Sequence, residues 1–153
     1  MTLQEHRIQQ ECFEWHWNNY PHQRGLLCYN NNNSTSSIDG AKNKRLGIIP
    51  GRSDMVYYLR REAFMIEIKT PEGSQGKDQK AWQELIQANG FTYFIIRSIG
   101  EFQNLMETIN NLSEQKQRRI DAINEPVPCD TCGNDLSVTP AVTVCLTCGE
   151  VVE

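Results

Sequence analysis

Two short runs of alternating apolar and polar residues, Met55 to Leu59 and Phe64 to Ile68, flank the polar Arg60-Arg61-Glu62 and predict a β-hairpin. The period of two sets Phe64, Ile66 and Ile68 on one face and Met65, Glu67 and Lys69 on the other. Asp54 stands at the mouth of the first strand, so Asp54 and Glu67 can meet. Helical spacing precedes the hairpin: Glu5, Ile8, Gln9, Cys12, Trp15 and His16 recur at i, i+3, i+4 and i+7 within a helix over 3–19 that ends before Pro21. Glu5 and Gln9 fall beside its apolar stripe, either at the edge of the stripe or aimed into a site. Residues 25–29 read as a short strand, and the Asn- and Ser-rich stretch 30–37 as a loop that cannot bury a face.

Beyond the hairpin, 70–76 is turn-rich, and 77–89 predicts a helix stopped by Gly90 in the left-handed conformation. Its inner stripe reads Trp82, Leu85, Ile86 and Asn89, extended toward the N-terminus by Gln79. A glutamine facing a sheet needs a partner, either the backbone or the oxygens of a site one strand away. Residues 91–97 are almost continuously apolar, as in a strand covered on both faces, and 101–112 form an amphipathic helix carrying Phe102, Leu105, Met106 and Ile109. The order α-β-β-β-α-β-α predicts an α/β fold, a mixed sheet flanked by helices.

Length and charge refine this picture. The 153 residues hold one ordinary core plus a small appendage. No apolar run approaches the roughly 20 residues of a membrane span, and the N-terminus lacks a signal-peptide core; the expectation is an intracellular chain with no membrane association. The net charge of −4 is uneven: residues 1–112 carry 12 basic and 12 acidic side chains, and 113–153 carry 3 and 7. The acidic excess lies in the tail, so global charge does not exclude a nucleic-acid partner for the N-terminal region.

The tail reads as a separate module. Residues 113–128 begin as a polar helix extension and end at two prolines, which sets the domain boundaries at 1–112, 113–128 and 129–153. Cys129, Cys132, Cys145 and Cys148 form two C-x2-C pairs separated by 12 residues, with Gly133 and Gly149 after each pair. Four thiolates at this spacing close a tetrahedral, structural Zn²⁺ site, and the segment resembles a zinc ribbon with strands at 136–138 and 142–144. Paired disulfides are the alternative, disfavoured inside a cell. So short a segment cannot bury a sufficient core, so zinc supplies the folding free energy. Cys12 and Cys28 lie in apolar patterns and read as ordinary buried thiols. His6, His16 and His22 show no ligand spacing and read as surface or partly buried rings.

The hairpin carries the chemistry. Glu-x-Lys on a strand is ordinarily a solvated face. Here an Asp follows a glycine turn, an apolar strand leads to Glu67-Ile68-Lys69, and a Gln-bearing helix comes next. Two carboxylates beside an ammonium offer hard oxygen ligands for Mg²⁺ and a cation to act on a water or on developing charge. Lys42, Lys44, Arg45 and Arg52 precede Asp54; they are either a solvated cluster or a phosphate-attracting one.

This combination resembles the PD-(D/E)XK nuclease superfamily, with its restriction-endonuclease-like core. From residue 5 to about 106 the chain is similar to the virus-type replication-repair nuclease (VRR-NUC) domain, found as short stand-alone proteins in phage and bacteria. The match lies in Glu5-His-Arg-Ile-Gln9 with Cys12, Trp15 and Tyr20-Pro21, in Lys44 to Asp54, in Ile66 to Thr70, and in Gly76, Gln79 to Trp82 and Gly90 to Ser98. The resemblance implies Mg²⁺ or Mn²⁺ held by Asp54, Glu67 and the Ile68 carbonyl, with Lys69 catalytic, Gln79 steadying the site and Glu5 the acidic residue of the first helix; Glu11 competes for that role. Ser53 stands where the family commonly has proline, which costs rigidity before Asp54 but removes no ligand.

What the resemblance implies is a metal-dependent endodeoxyribonuclease, a hydrolase acting on branched DNA such as a Holliday junction in replication, recombination or repair. It would work in the cytoplasm of a bacterium or of a phage-infected host. Symmetric incision of a junction implies a homodimer, and the ribbon implies a possible replication or transcription protein as partner. The competing expectation is a nuclease-like scaffold that binds DNA or a replication protein without cutting.

Overall fold

The computed structural model describes residues 2–30 and 42–123, together with the strand residues 137–138, 143–144 and 151–152. The chain divides into two compact units, Met1–Asn110 and Asn111–Glu153. In the first, α1 spans Leu3–Asn19 and is followed by a 3-10 turn, Pro21–Gln23; the strands are β1 (Leu27–Tyr29), β2 (Met55–Leu59), β3 (Glu62–Ile68) and β4 (Thr92–Ile96). Helix α2, Lys77–Ala88, joins β3 to β4, and α3, Ile99–Ile123, begins in the first unit and continues past its boundary at Asn110.

The sheet order is β1-β2-β3-β4, antiparallel except for the parallel β3–β4 pair. A parallel pair needs a crossover connection, and α2 supplies it. Alternation along the strands divides the interior. Met55, Tyr57, Ile66 and Ile68 pack with Cys12 of α1 and with Phe102, Met106 and Ile109 of α3, while Val56, Met65 and Tyr93 pack with Trp82 and Ile86 of α2. Helices therefore cover both faces, as the apolar pattern predicts.

Several details differ from the expectation. The hairpin turn is two residues long: Arg60 and Arg61 have φ of 47° and 71°, and β3 begins at Glu62, two residues before Phe64. Positive φ at both positions is what a type I′ turn requires, because its twist matches that of the strands it joins. Leu85 of α2 is 59% exposed and Asn89 is also exposed, so the inner stripe is Gln79, Trp82 and Ile86. Asn89 instead caps the helix, its side-chain amide donating to the Leu85 carbonyl at 2.8 Å. His16 is fully buried, stacked on Tyr20 and edge-on to Tyr57. Burial, which favours the neutral ring, lowers its pKa against a hydrogen bond to Gln23.

Cys12 is buried, its thiol pushed up to about 12 by burial, whereas Cys28 is only half-buried. In the second unit, β5 (Ser137–Val138), β6 (Thr143–Val144) and β7 (Val151–Val152) form an antiparallel three-stranded sheet; β7 adds a strand to the two expected. Cys129, Cys132, Cys145 and Cys148 lie outside the described residues, as does 31–37 of the Asn-rich loop. No helix of the described residues is long and apolar enough to cross a membrane.

Candidate active site

The site grows from the register of the hairpin. Met55 pairs with Ile66, so one step further Asp54 reaches the level of Glu67 on the same sheet face. The backbone that delivers Asp54 is held by hydrogen bonds where a proline would have held it by geometry. Ser53 is fully buried and donates from Oγ to the Met55 carbonyl at 3.0 Å. Asn30 donates from its side chain to the Ser53 carbonyl at 2.9 Å and from its amide to the Asp54 carbonyl at 2.8 Å. Asp54 Oδ2 then accepts the Ile68 N–H at 2.9 Å, leaving Oδ1 without a hydrogen-bond partner among the described residues.

Glu67 is fully buried, and both its oxygens are engaged. Oε1 accepts from Lys69 Nζ at 2.9 Å and from the Gln79 side-chain amide; Oε2 accepts from Tyr93 Oη at 3.3 Å. Gln79 Oε1 takes the Gly76 N–H at 2.9 Å, which turns the NH2 end of the amide toward Glu67. Backbone and site thus share Gln79. The turn before Asp54 and the start of α2 are packed so closely that a Cβ on Gly51 (φ 79°) would lie 2.4 Å from the backbone carbonyl of Asp78 and 2.7 Å from the Gln79 amide nitrogen. Only glycine fits there.

Glu5 reaches the cluster from α1. Its backbone N–H and carboxylate form a capping box with Thr2, Oε2 accepting the Thr2 N–H at 2.6 Å, while Oε1 lies 3.7 Å from Lys69 Nζ. Glu11 pairs with Arg7 at 3.1 Å on the outer face of the helix, so Glu5 is the acidic residue of α1 that meets the lysine. Lys69 is itself buried, 8% exposed, and receives Glu5 and Glu67 together.

Three carboxylates lie around one ammonium, and burial acts upward on each of them. Burial and the neighbouring Asp54 raise Glu67 to about 7, against the pull of Lys69 and Tyr93. Burial also raises Asp54, opposed by the Ile68 N–H and Lys69. At Glu5 burial acts upward, but the Thr2 hydrogen bonds and Lys69 outweigh it and hold the carboxyl below its ordinary value. Among the described residues no three His, Cys, Asp or Glu side chains converge closely enough to enclose an ion alone. The donor set fits a hard cation that keeps several waters and takes one or two carboxylates.

No family model matches the chain, and no curated protein matches it in sequence. Among solved structures, one described as "VRR_NUC domain protein" superposes with a TM-score of 0.58 at 20% identity, covering 71% of this chain and 88% of that one. The chain has the VRR-NUC fold. Asp54, Glu67, Lys69, Gln79 and Glu5 come together, whereas Lys42, Lys44 and Arg45 lie on an exposed helical turn. Arg52 donates to Asn30 Oδ1 at 3.4 Å.

Four residues that support the site were not among the candidates read from the sequence. Tyr93, Gln75 and Asn30 are described by their contacts; Arg97 holds the loop after Lys69 by donating to the carbonyls of Thr70, Pro71 and Gly73. Tyr93 carried a signal: a phenol inside an apolar, two-sided strand must find a partner for its hydroxyl. Gln75 and Asn30, in polar loops, carried none.

Proposed function

We propose that the chain is a nuclease of the VRR-NUC family that hydrolyses phosphodiester bonds in DNA with the help of Mg²⁺ or Mn²⁺. The observation that carries this reading is the buried, net-negative cluster in which Asp54 and Glu67 lie side by side with Lys69 Nζ 2.9 Å from a Glu67 oxygen. Asp54 and Glu67 would hold the cation, joined by the Ile68 carbonyl. The Ile68 N–H points at Asp54, and in an extended strand the same residue's carbonyl points the same way. A divalent cation there would supply Lewis-acid neutralisation of a phosphate oxygen and lower the pKa of a nearby water.

The chain's own groups do the rest. Lys69, 2.9 Å from Glu67, would orient a water or meet the charge developing on the phosphate oxygens. Gln79 fixes the Glu67 rotamer from the start of α2, and Glu5 holds Lys69 from the opposite side. Lys42, Lys44, Arg45 and Arg52 supply phosphate attraction along the approach to Asp54. Branched DNA, with a four-way junction cut by a homodimer, is the substrate the resemblance favours, because one cluster per chain cuts one strand per binding event. Cys129, Cys132, Cys145 and Cys148 would bind one structural Zn²⁺ and present a docking surface to a replication or transcription protein.

A second reading, a scaffold that binds DNA or a replication protein without cutting, draws on the engagement of both Glu67 oxygens by Lys69, Gln79 and Tyr93. One experiment separates the two. Labelled four-way junction and linear duplex are incubated with the full chain in Mg²⁺, in Mn²⁺ and in EDTA. Cleavage that needs the metal and disappears in Asp54→Ala supports the nuclease; binding without cleavage under every condition supports the scaffold.

A further inference from the structure

Glu67 is approached from two sides, and only the Lys69 and Gln79 side has been given a role so far. On Oε2 stands Tyr93 of β4, 7% exposed, with its hydroxyl 3.3 Å from the carboxylate. Behind it, Gln75 Nε2 donates to Tyr93 Oη at 3.3 Å and to Gln83 Oε1 at 2.9 Å. The direction of these bonds matters. An amide NH2 is a donor only, so Gln75 occupies a lone pair of the phenol oxygen and leaves the phenol proton to point at Glu67. Gln83 in turn donates to Gln87 Oε1 at 3.2 Å, so the amide that orients Tyr93 is anchored on α2. Tyr93 also packs edge-on against Trp82, ring centroids 5.9 Å apart, which fixes the ring itself.

We propose that Tyr93, oriented by Gln75, is a positioning residue. It pins Oε2 of Glu67 so that Oε1 is the oxygen presented toward Asp54, Lys69 and an incoming divalent cation. This rests on the cation reading given above and extends it to residues one layer away from the metal. A carboxylate that binds metal through one oxygen keeps its geometry only if the other is held, and loss of such outer partners typically weakens metal affinity about 10- to 100-fold. Asp54 is arranged in the same way, with Oδ2 held by the Ile68 N–H.

The test is a calorimetric titration of Mn²⁺ into the full-length protein, zinc-loaded and stripped of other metals, alongside its melting temperature. Tyr93→Phe keeps the ring and its packing on Trp82 and removes only the hydroxyl. The expected result is Mn²⁺ affinity lowered about ten-fold or more while the melting temperature stays close to that of the parent. Gln75→Leu leaves Tyr93 in place but frees its hydroxyl, and should weaken Mn²⁺ by a smaller factor, which keeps the proposal testable should Tyr93→Phe fold poorly. Unchanged affinity in either folded variant would overturn the positioning role while leaving the cation site standing. A parent protein that takes up no Mn²⁺ at Asp54 and Glu67 would overturn the cation reading, and this role with it.

Discussion

Two polar clusters lie in the interior of the 1–110 unit, and they solve the cost of burying polar groups in opposite ways. Around Tyr57 the solution is a closed neutral ring: Tyr57 Oη donates to Gln23 Oε1 at 2.5 Å, Gln23 Nε2 to Asn110 Oδ1 at 2.6 Å, and Asn110 Nδ2 back to Tyr57 Oη at 3.4 Å. No charge is buried, and each donor in the ring has its acceptor. Around Glu67 three carboxylates share one ammonium, and burial raises both Asp54 and Glu67, with the Asp54 charge adding to the rise at Glu67. A balanced neutral ring is a stability device. An unbalanced cluster costs stability, and on the reading proposed above that cost is the condition for holding a cation.

The sharpest way to break this contrast is to mutate both clusters and measure cleavage and stability together. Asp54→Ala, Glu67→Ala and Lys69→Ala should each lower Mg²⁺-dependent cleavage by roughly 100-fold or more while leaving the fold intact. Asn110→Leu, which opens the neutral ring, should do the reverse, costing about 1–3 kcal/mol of stability with cleavage nearly unchanged. If the ring variant lost cleavage and the carboxylate variants kept it, the two clusters would have been assigned the wrong way round.

Next in size is the support of the charged cluster. Gly51→Ala places a Cβ against the Asp78–Gln79 backbone at a positive φ, and should destabilise by on the order of 2–4 kcal/mol. Urea unfolding checks it; a variant as stable as the parent would show that the turn and α2 are not packed as closely as described.

Smaller still is the dependence on pH. Between its ordinary 4.5 and about 7 the folded chain holds a Glu67 proton that the unfolded chain has released, so stability falls as pH rises through this window. The drop should be on the order of 3 kcal/mol in EDTA. His16 acts in the opposite sense: its folded pKa is lowered, so its contribution is lost as pH falls below the ordinary 6.5. Glu67→Gln isolates the first effect. Relative to the parent, its stability should improve as pH is raised from about 5 to about 7.5, and a constant difference would contradict the raised Glu67 pKa.

The hairpin, α1 and the order of elements were legible in the residues because each buries a face with a clean period; that period places Asp54, Glu67 and Lys69 together, the helical stripe of α2 places Gln79, and their roles came from the family resemblance. What periodicity does not encode is which flank of a helix a loop covers. Leu85 has core chemistry yet points outward beside Ile49 and Pro50, because α2 meets the sheet through Gln79, Trp82 and Ile86. Nor does it encode partners brought in from loops, which is why Gln75 and Asn30 escape notice. The Arg60-Arg61 turn was hidden for another reason: residues unsuited to positive φ occupy a turn set by strand twist. This gives the smallest expected effect. Arg60→Asn with Arg61→Gly should raise stability by about 1 kcal/mol without altering cleavage, and a lower melting temperature would count against the type I′ assignment.

The most direct test of the central claim is a crystal structure of the Mn²⁺-soaked protein examined by anomalous scattering. The account predicts one Mn²⁺ peak between the Asp54 and Glu67 carboxylates and next to the Ile68 carbonyl, with Lys69 Nζ drawn away from Glu67 and Tyr93 still on its second oxygen. A peak elsewhere, or none while Lys69 keeps its 2.9 Å contact to Glu67, would contradict it.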